Sequence, residues 1–419
     1  MTDVGRVLPE GLEHSTLRRV QPSAGVRGRP QRPHTHLTRR VLLSWSALGM
    51  LAACSSADPE PSTSSSLTPT TRPRVAPADR NVRWASWPEY IDVDDAGGHP
   101  SLDAFTADTG IPVTYTEPIG DNVEYVDSIR SALTSGTDVG ADALTLTSWM
   151  CAQLARAGEL QPFGPITSAD RVLPALARPD WDRDQSLSMP WQSGLTGIAY
   201  DARNVDRAIG SVAELFTRED LAGKVSLLTE YDDAVGFALL GRGQDVATAS
   251  ASTVGGALDF LEAQQSAGRF AGFYGNEYLD ALASGEVIAA QAWSGDILQA
   301  QSENPYLKFV IPEEGLLIWS DNFVVPAGSI QAEAVAALVD YYYRPEVAAQ
   351  VAAQVNYICP VVGAQAAMAE FDQDLAASPL IFPDPTILDR SYRLPTLATK
   401  DETALRARFA TLTEAAGGE

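Results

Sequence analysis

Histidine, cysteine and positive charge are scarce in this 419-residue chain, and each shortage removes a class of chemistry. Three of the four histidines lie before residue 38, which leaves the body only His99, beside Gly97, Gly98 and Pro100 in an expected turn. Ser–His–Asp and Cys–His machinery therefore lacks a base. There is no CxxC, HExxH or GxxxxGK[ST], and no GxGxxG between a strand and a helix. Their absence removes the common zinc, P-loop and dinucleotide readings, and nothing calls for a cofactor. Lys and Arg total 30 against 54 Asp and Glu, a net charge of −24 that repels phosphate backbones. Nucleic acid is not an expected partner; the acidic balance suits cationic partners or plain solubility.

Long apolar runs are missing too. The longest, VLLSWSALGMLAA at residues 41–53, has thirteen mostly apolar residues, too few to cross a hydrocarbon core of about 30 Å. It follows Thr38-Arg39-Arg40 and ends in Leu51-Ala52-Ala53-Cys54, which matches the box of a bacterial lipoprotein signal, with Cys54 as the lipidated residue. The paired arginines also resemble a twin-arginine export signal, and the general secretory route stays open. Residues 1–53 read as leader and signal peptide. Residues 54–79, rich in Ser, Thr and Pro, read as a tether between lipid and folded body.

The body has the composition of a globular protein, with 45% hydrophobic and 20% charged residues. At roughly 100 to 200 residues per domain its length favours two domains. Short apolar segments at 82–86, 111–116, 141–146, 194–201, 224–228, 286–293, 307–312 and 322–326 read as strands. Helical patterns such as SLDAFTADTG, ending at Gly110, alternate with them. The fold class expected is α/β with parallel strands. Once Cys54 carries lipid, the remaining thiols, Cys151 and Cys359, are either a disulfide, as export favours, or two buried free cysteines.

Several aromatic residues fall at or just past strand ends: Trp87 and Tyr90, Trp149, and Trp293. Acids accompany them: Glu89, Glu230, Asp233, and Asp321 two residues beyond Trp319. Ligands of open α/β sheets bind at such ends. Aromatic walls cover the methylenes of a protonated amine and attract its charge by ~0.5 to 2 kcal/mol, while carboxylates accept its N–H groups. Each residue also has a structural use, the tryptophans as core and the acids as helix caps. Recurrence over five segments is what favours a binding site.

Beyond these residues, the body from about Val82 resembles the spermidine/putrescine-binding proteins of bacterial ATP-binding cassette importers. The resemblance lies in Trp87-x-Glu89-Tyr90, the turn Thr147-Ser148-Trp149, MPW…GLTGIAYD at 189–201, GEVIAAQAW, PEEGLLIWSDNFVVP at 312–326, and YRPEVAAQVAAQVNY at 343–357. It implies a two-lobed periplasmic-binding-protein-like α/β fold with a hinge and a ligand cleft between the lobes. Lobe 1 would comprise 80–197 and 322–365, and lobe 2 would comprise 198–321 and 366–419. By position, Trp87, Glu89, Tyr90, Thr147 and Trp149 would face the ligand from lobe 1. Glu230, Asp233, Trp293, Trp319 and Asp321 would face it from lobe 2 or the crossover, with Tyr357 a further match. The run Thr229-Glu230-Tyr231-Asp232-Asp233 lacks the Arg that the family often shows there, and Asp232 is an alternative to either neighbouring acid.

The function so implied is a monomeric, lipid-anchored polyamine receptor, not an enzyme, that serves a membrane permease from outside the cytoplasmic membrane. Capture of another organic cation or an amino-acid derivative stays open, because one fold hosts many ligands. A sugar hydrolase using two acids such as Glu230 and Asp321 is the alternative from a different class. The anchor is testable: globomycin should trap the precursor, and Cys54→Ser protein should leave the membrane fraction uncleaved by the lipoprotein peptidase. Normal cleavage and membrane partition of Cys54→Ser protein would refute it.

Overall fold

The computed structural model describes Ala76 and residues 79–415. Cys54 and the signal lie outside the described residues, as does the tether apart from Ala76 and Asp79. The chain alternates short strands and helices. In order these are β1 (Val82–Ala85), α1 (Pro100–Thr109), β2 (Val113–Thr116), α2 (Asn122–Ser135), β3 (Ala143–Thr147), α3 (Ser148–Ala157), β4 (Leu160–Gln161) and the long β5 (Ser188–Asp201). Then come α4 (Val212–Thr217), β6 (Val225–Leu228), α5 (Tyr231–Gly241), α6 (Ala251–Ser266), β7 (Gly272–Tyr274), α7 (Tyr278–Ser284), β8 (Ala289–Trp293), α8 (Ser294–Ala300), β9 (Leu307–Val310) and the long β10 (Leu316–Pro326). The chain closes with α9 (Ala332–Tyr342), α10 (Pro345–Val355), α11 (Ala364–Met368), α12 (Gln373–Ala376), α13 (Pro385–Leu388), β11 (Ser391–Tyr392) and α14 (Thr399–Ala415).

Hydrogen bonds link the strands in the order β2-β1-β3-β10-β5-β8-β6-β7. The outer parts are two parallel wings: β1 pairs in parallel with β2 and β3, and β6 with β7 and β8. Between them run β5 and β10, antiparallel to each other; β10 is also antiparallel to β3, and β5 to β8 and β9. The expected α/β alternation with parallel strands is present in both wings, and the long strands add antiparallel pairing between them. A parallel wing needs a helical crossover for each strand. The chain instead leaves the first wing along β5 and returns along β10, and two such opposed passages pair antiparallel. Both long strands reach beyond their expected bounds, into MPWQS and LLIWSD. Those stretches mix apolar residues with polar and aromatic ones, all of them buried or half-buried.

Each wing has its own apolar core. Leu144 and Leu146 of β3 meet Val126 and Leu133 of α2 and Met150 and Leu154 of α3 in the first. In the second, Leu227 of β6 packs with Val235 and Phe237 of α5, Leu258 of α6, and Phe409 and Leu412 of α14. The third and largest cluster holds Trp84, fully buried, which touches the rings of Tyr115, Trp191, Phe323 and Tyr342. Its indole N–H donates to Thr145 Oγ1 at 2.8 Å. The described part of the C-terminal stretch 366–419 packs in two places. Residues near 364–382 stay beside α10, where the Cys359 amide donates to Ile381 O, while α14 lies on α6 through Arg408 with Asp259 and Glu262.

The disulfide reading is also corrected. Cys151 and Cys359 are free and buried. They belong to different clusters, the Cys151 thiol directed at Leu146 O (3.3 Å) and the Cys359 thiol at Ala348 O (3.9 Å). Burial holds both as neutral thiols, pushing Cys359 up to about 12 and Cys151 also well upward. Soluble protein beginning after Cys54 should therefore show no thiol reactive toward Ellman's reagent when native and two when unfolded without reductant. None after unfolding would restore the disulfide.

Candidate functional site

Three strand-to-helix junctions supply the site. At the first, β3 ends at Thr147 and α3 starts at once, which holds Trp149 in the helix's first turn. At the second, β6 leads into α5 through Glu230, with Asp232 and Asp233 in the first turn. At the third, β8 ends at Trp293 and α8 carries Asp296 in its first turn. The side chain of Glu230 caps nothing at the helix it precedes. Asp233 instead accepts from Thr196 Oγ1 (2.8 Å) and Trp293 Nε1 (2.9 Å). The capping role open to these acids is thus not the one they fill.

Strand register lines up the floor. Leu317, Trp319 and Asp321 alternate onto one face of β10, and their partners on β5 are Thr196, Gly194 and Gln192 in the same order. Opposite Asp321 on the other side stands Thr147 of β3, and opposite Thr196 stands Trp293 of β8. Asp321 accepts from Thr147 Oγ1 and Tyr90 OH, both at 2.7 Å. Asn122 Nδ2 donates to Thr147 Oγ1 at 2.9 Å and fixes that hydroxyl. A β-bulge follows, where the register shifts between Asp321 and Asn322 and Trp191 is left without a partner on β10. Such a bulge re-aims neighbouring side chains.

Two glycines seat the aromatic rings. A Cβ on Gly194 would stand 2.3 Å from the ring of Trp319, and one on Gly295 would stand 2.6 Å from the ring of Tyr357. Trp319 and Tyr357 meet edge to face with centroids 5.2 Å apart, and Tyr357 meets Tyr90 at 6.1 Å. The Tyr357 hydroxyl donates to Asp296, whose other oxygen accepts from Tyr278. Asp296 was not foreseen. Its signal was the same as that of Asp233, an acid in the first helical turn after a strand.

The result is an acid–aromatic–acid line. Leu317, which marks the Asp233 end, lies four residues from Asp321, or ~13 Å along a strand, with Trp319 between them. Trp149, Asp233 and Trp319, with Tyr231, Asp232 and Arg406, border a cavity of about 330 Å³. Trp87 is half-buried against the first-wing core and the Trp84 cluster. Glu89 is exposed and joins none of these contacts through its side chain. Its backbone is left-handed (φ 56°), with the amide donating to Glu117.

Among the described residues no cation forms an ion pair with Asp321, Asp233, Asp296 or Glu230. Desolvation therefore dominates their titration. Burial pushes Asp321 up to about 6, against the pull of its bonds from Thr147 and Tyr90. It pushes Asp233 up to about 7 against the pull of Trp293 and Thr196, and Glu230 to about 8 with Asp233 and Asp232 adding repulsion. Asp296 is raised by burial too.

Two α/β wings joined by paired long strands, with acids and aromatic rings gathered where they meet, make the architecture of a solute-binding protein. The chain belongs to the bacterial extracellular solute-binding proteins, whose family profile matches residues 101–379. It is 27% identical over 327 residues to Spermidine/putrescine-binding periplasmic protein 1 of Haemophilus influenzae, across 76% of this chain and 85% of that one. The spermidine/putrescine transporter substrate-binding protein PotD of Streptococcus pneumoniae superposes with a TM-score of 0.66 at 20% identity, over 80% of this chain and 99% of that one. The TpPotD lipoprotein of Treponema pallidum gives 0.63 at 18% identity, over 80% and 99%. The expected two-lobed periplasmic-binding-protein-like fold is the one found. No described helix is long and apolar enough to cross a membrane.

The raised carboxyls make stability depend on pH. A folded pKa above the unfolded value of about 4 means that the native state holds the extra proton in that window, so stability falls as pH rises through it. The windows end near 6 for Asp321, 7 for Asp233 and 8 for Glu230. The unliganded protein should therefore lose melting temperature steadily between pH 5 and pH 8, and Asp233→Asn with Asp321→Asn should flatten that slope. A wild-type profile that is level or rising over this range would contradict the burial described.

Proposed function

We propose that the protein captures polyamines of the spermidine/putrescine class for an ATP-binding cassette importer. The observation that carries this reading is the acid–aromatic–acid line: Asp321 at one end, Trp319 on Gly194 in the middle, and Asp233 with Trp293 at the other. An extended amine with a charge at each end and methylenes between matches that order. Its ammonium groups take the place of the missing counter-cations, and each alkyl stretch lies against a ring. The names of the relatives point the same way.

In this reading Tyr90, Thr147 and Asp321 hold a nitrogen common to every ligand. Glu230 and Asp233 hold one whose position varies with chain length, and Trp87, Trp149, Trp293, Trp319 and Tyr357 cover the methylenes. Glu89 joins as the lobes close; a non-glycine residue held at φ 56° is a strain that function would justify. The lobes part at 197/198 and 321/322, inside β5 and β10. The protein acts as a monomer, anchored through Cys54 on the outer face of the cytoplasmic membrane, where it meets the permease.

Asp321→Asn should weaken putrescine and spermidine alike, by about ten- to hundredfold, the worth of a charge-assisted bond. Asp233→Asn and Glu230→Gln should instead change the preference between the two amines. Calorimetry on the three variants measures this, and wild-type affinity for both amines in Asp321→Asn would overturn the pocket. Mass spectrometry of solute released from protein purified without denaturation identifies the natural ligand.

A further inference from the structure

Three arginines, Arg178, Arg393 and Arg406, border the cavity, and Arg406 is the one that stands on two of its rings. Arg406, from α14, carries its guanidinium over two rings, 4.0 Å from the centroid of Trp149 and 4.4 Å from that of Tyr231. It donates to Asp232 Oδ1 at 2.7 Å and Glu402 Oε1 at 3.3 Å, and its side chain is only 16% exposed. Glu402 is itself fixed by Arg156 of α3 at 2.7 Å. Two aromatic faces and two carboxylates are the parts from which a subsite for an organic cation is made. The rings come from different wings, Trp149 from α3 and Tyr231 from α5. Arg406, Trp149, Tyr231 and Asp232 border the same cavity as Asp233 and Trp319.

We propose that Arg406 is a tethered occupant of a cation subsite continuous with the ligand line, and that it sets the longest amine the cleft accepts. This rests on the polyamine reading for its consequence, though not for the subsite itself. Asp232 is committed to Arg406 while its neighbours Glu230 and Asp233 make no ion pair, so the acidic turn of α5 is divided between an internal cation and an external one. A diamine that reaches from Asp321 to Asp233 stops short of Arg406. A tetraamine carries a further ammonium into the space where the guanidinium already stands, and it meets like charge there, with Asp232 and Glu402 already paired to Arg406.

The test compares wild type, Arg406→Ala and Arg406→Lys by calorimetry with putrescine, spermidine and spermine. Wild type should bind spermine least well. Arg406→Ala should gain roughly tenfold or more for spermine, as one cation–π and charge-assisted contact becomes available, with a smaller change for putrescine, while Arg406→Lys keeps the wild-type order. A parallel change for all three amines, or none, overturns the proposal. A second arm needs no polyamine: millimolar ethylguanidinium should raise the melting temperature of Arg406→Ala and leave that of wild type unchanged, and no rise in the variant refutes the subsite. If wild type binds no amine while ethylguanidinium rescues the variant, the polyamine reading falls and the subsite stands. Should Arg406→Ala fail to fold, Arg406→Gln carries both arms with the same expected results.

Discussion

Moving the carboxylates of Asp321 and Asp233 out of water costs on the order of several kcal/mol per ion unless a counter-charge returns it, and the body supplies hydroxyl and indole donors in place of a basic side chain. Tyr90, Thr147, Thr196 and Trp293 lower that cost without cancelling it. The arrangement is tolerable because the rest of the molecule is well packed: the Trp84 ring cluster and the two wing cores hold the strands that carry the acids. A cationic solute is then the partner that completes the electrostatics, and its affinity is coupled to the protons it displaces. Alkyl ammonium groups remain charged to about pH 10, so the protein's acids and not the ligand set the pH response near neutrality.

Much of the wing architecture was legible from sequence. Alternation in VRWAS and the glycine after SLDAFTADT gave the first unit almost as it stands, with Gly110 in the left-handed cap (φ 72°). The long strands were harder, because in MPWQS and LLIWSD the site's needs override strand composition: polar and aromatic residues occupy positions that a pattern search assigns to a loop. The residues that made β10 hard to read, Trp319, Ser320 and Asp321, include those that make the floor.

The acids and rings at strand ends were visible because composition changes sharply there. What each acid touches was not. Nothing local distinguishes Asp232, bound to Arg406, from Asp233, bound to Thr196 and Trp293, since their partners lie 174 residues ahead and 37 and 60 residues away. Arg406 reads in sequence as an ordinary charge in TALRARFATL. The seats made by Gly194 and Gly295 were equally silent, for a glycine shows what it admits only when the ring above it is in place. The thiols misled because export favours disulfides in general, whereas these two are separated by packing into different clusters.

The pairing of β10 with β3 and β5 has a consequence for how the molecule assembles. Asp321 must find Thr147, 174 residues earlier, and Gln192, more than a hundred earlier. Contacts so distant in sequence form late, because the loop they close must be ordered first. The helices and parallel strands of each wing are local by comparison and need not wait. A half-made chain can thus own the parallel strands of both wings and no floor, and competence to hold solute arrives only with the last crossing.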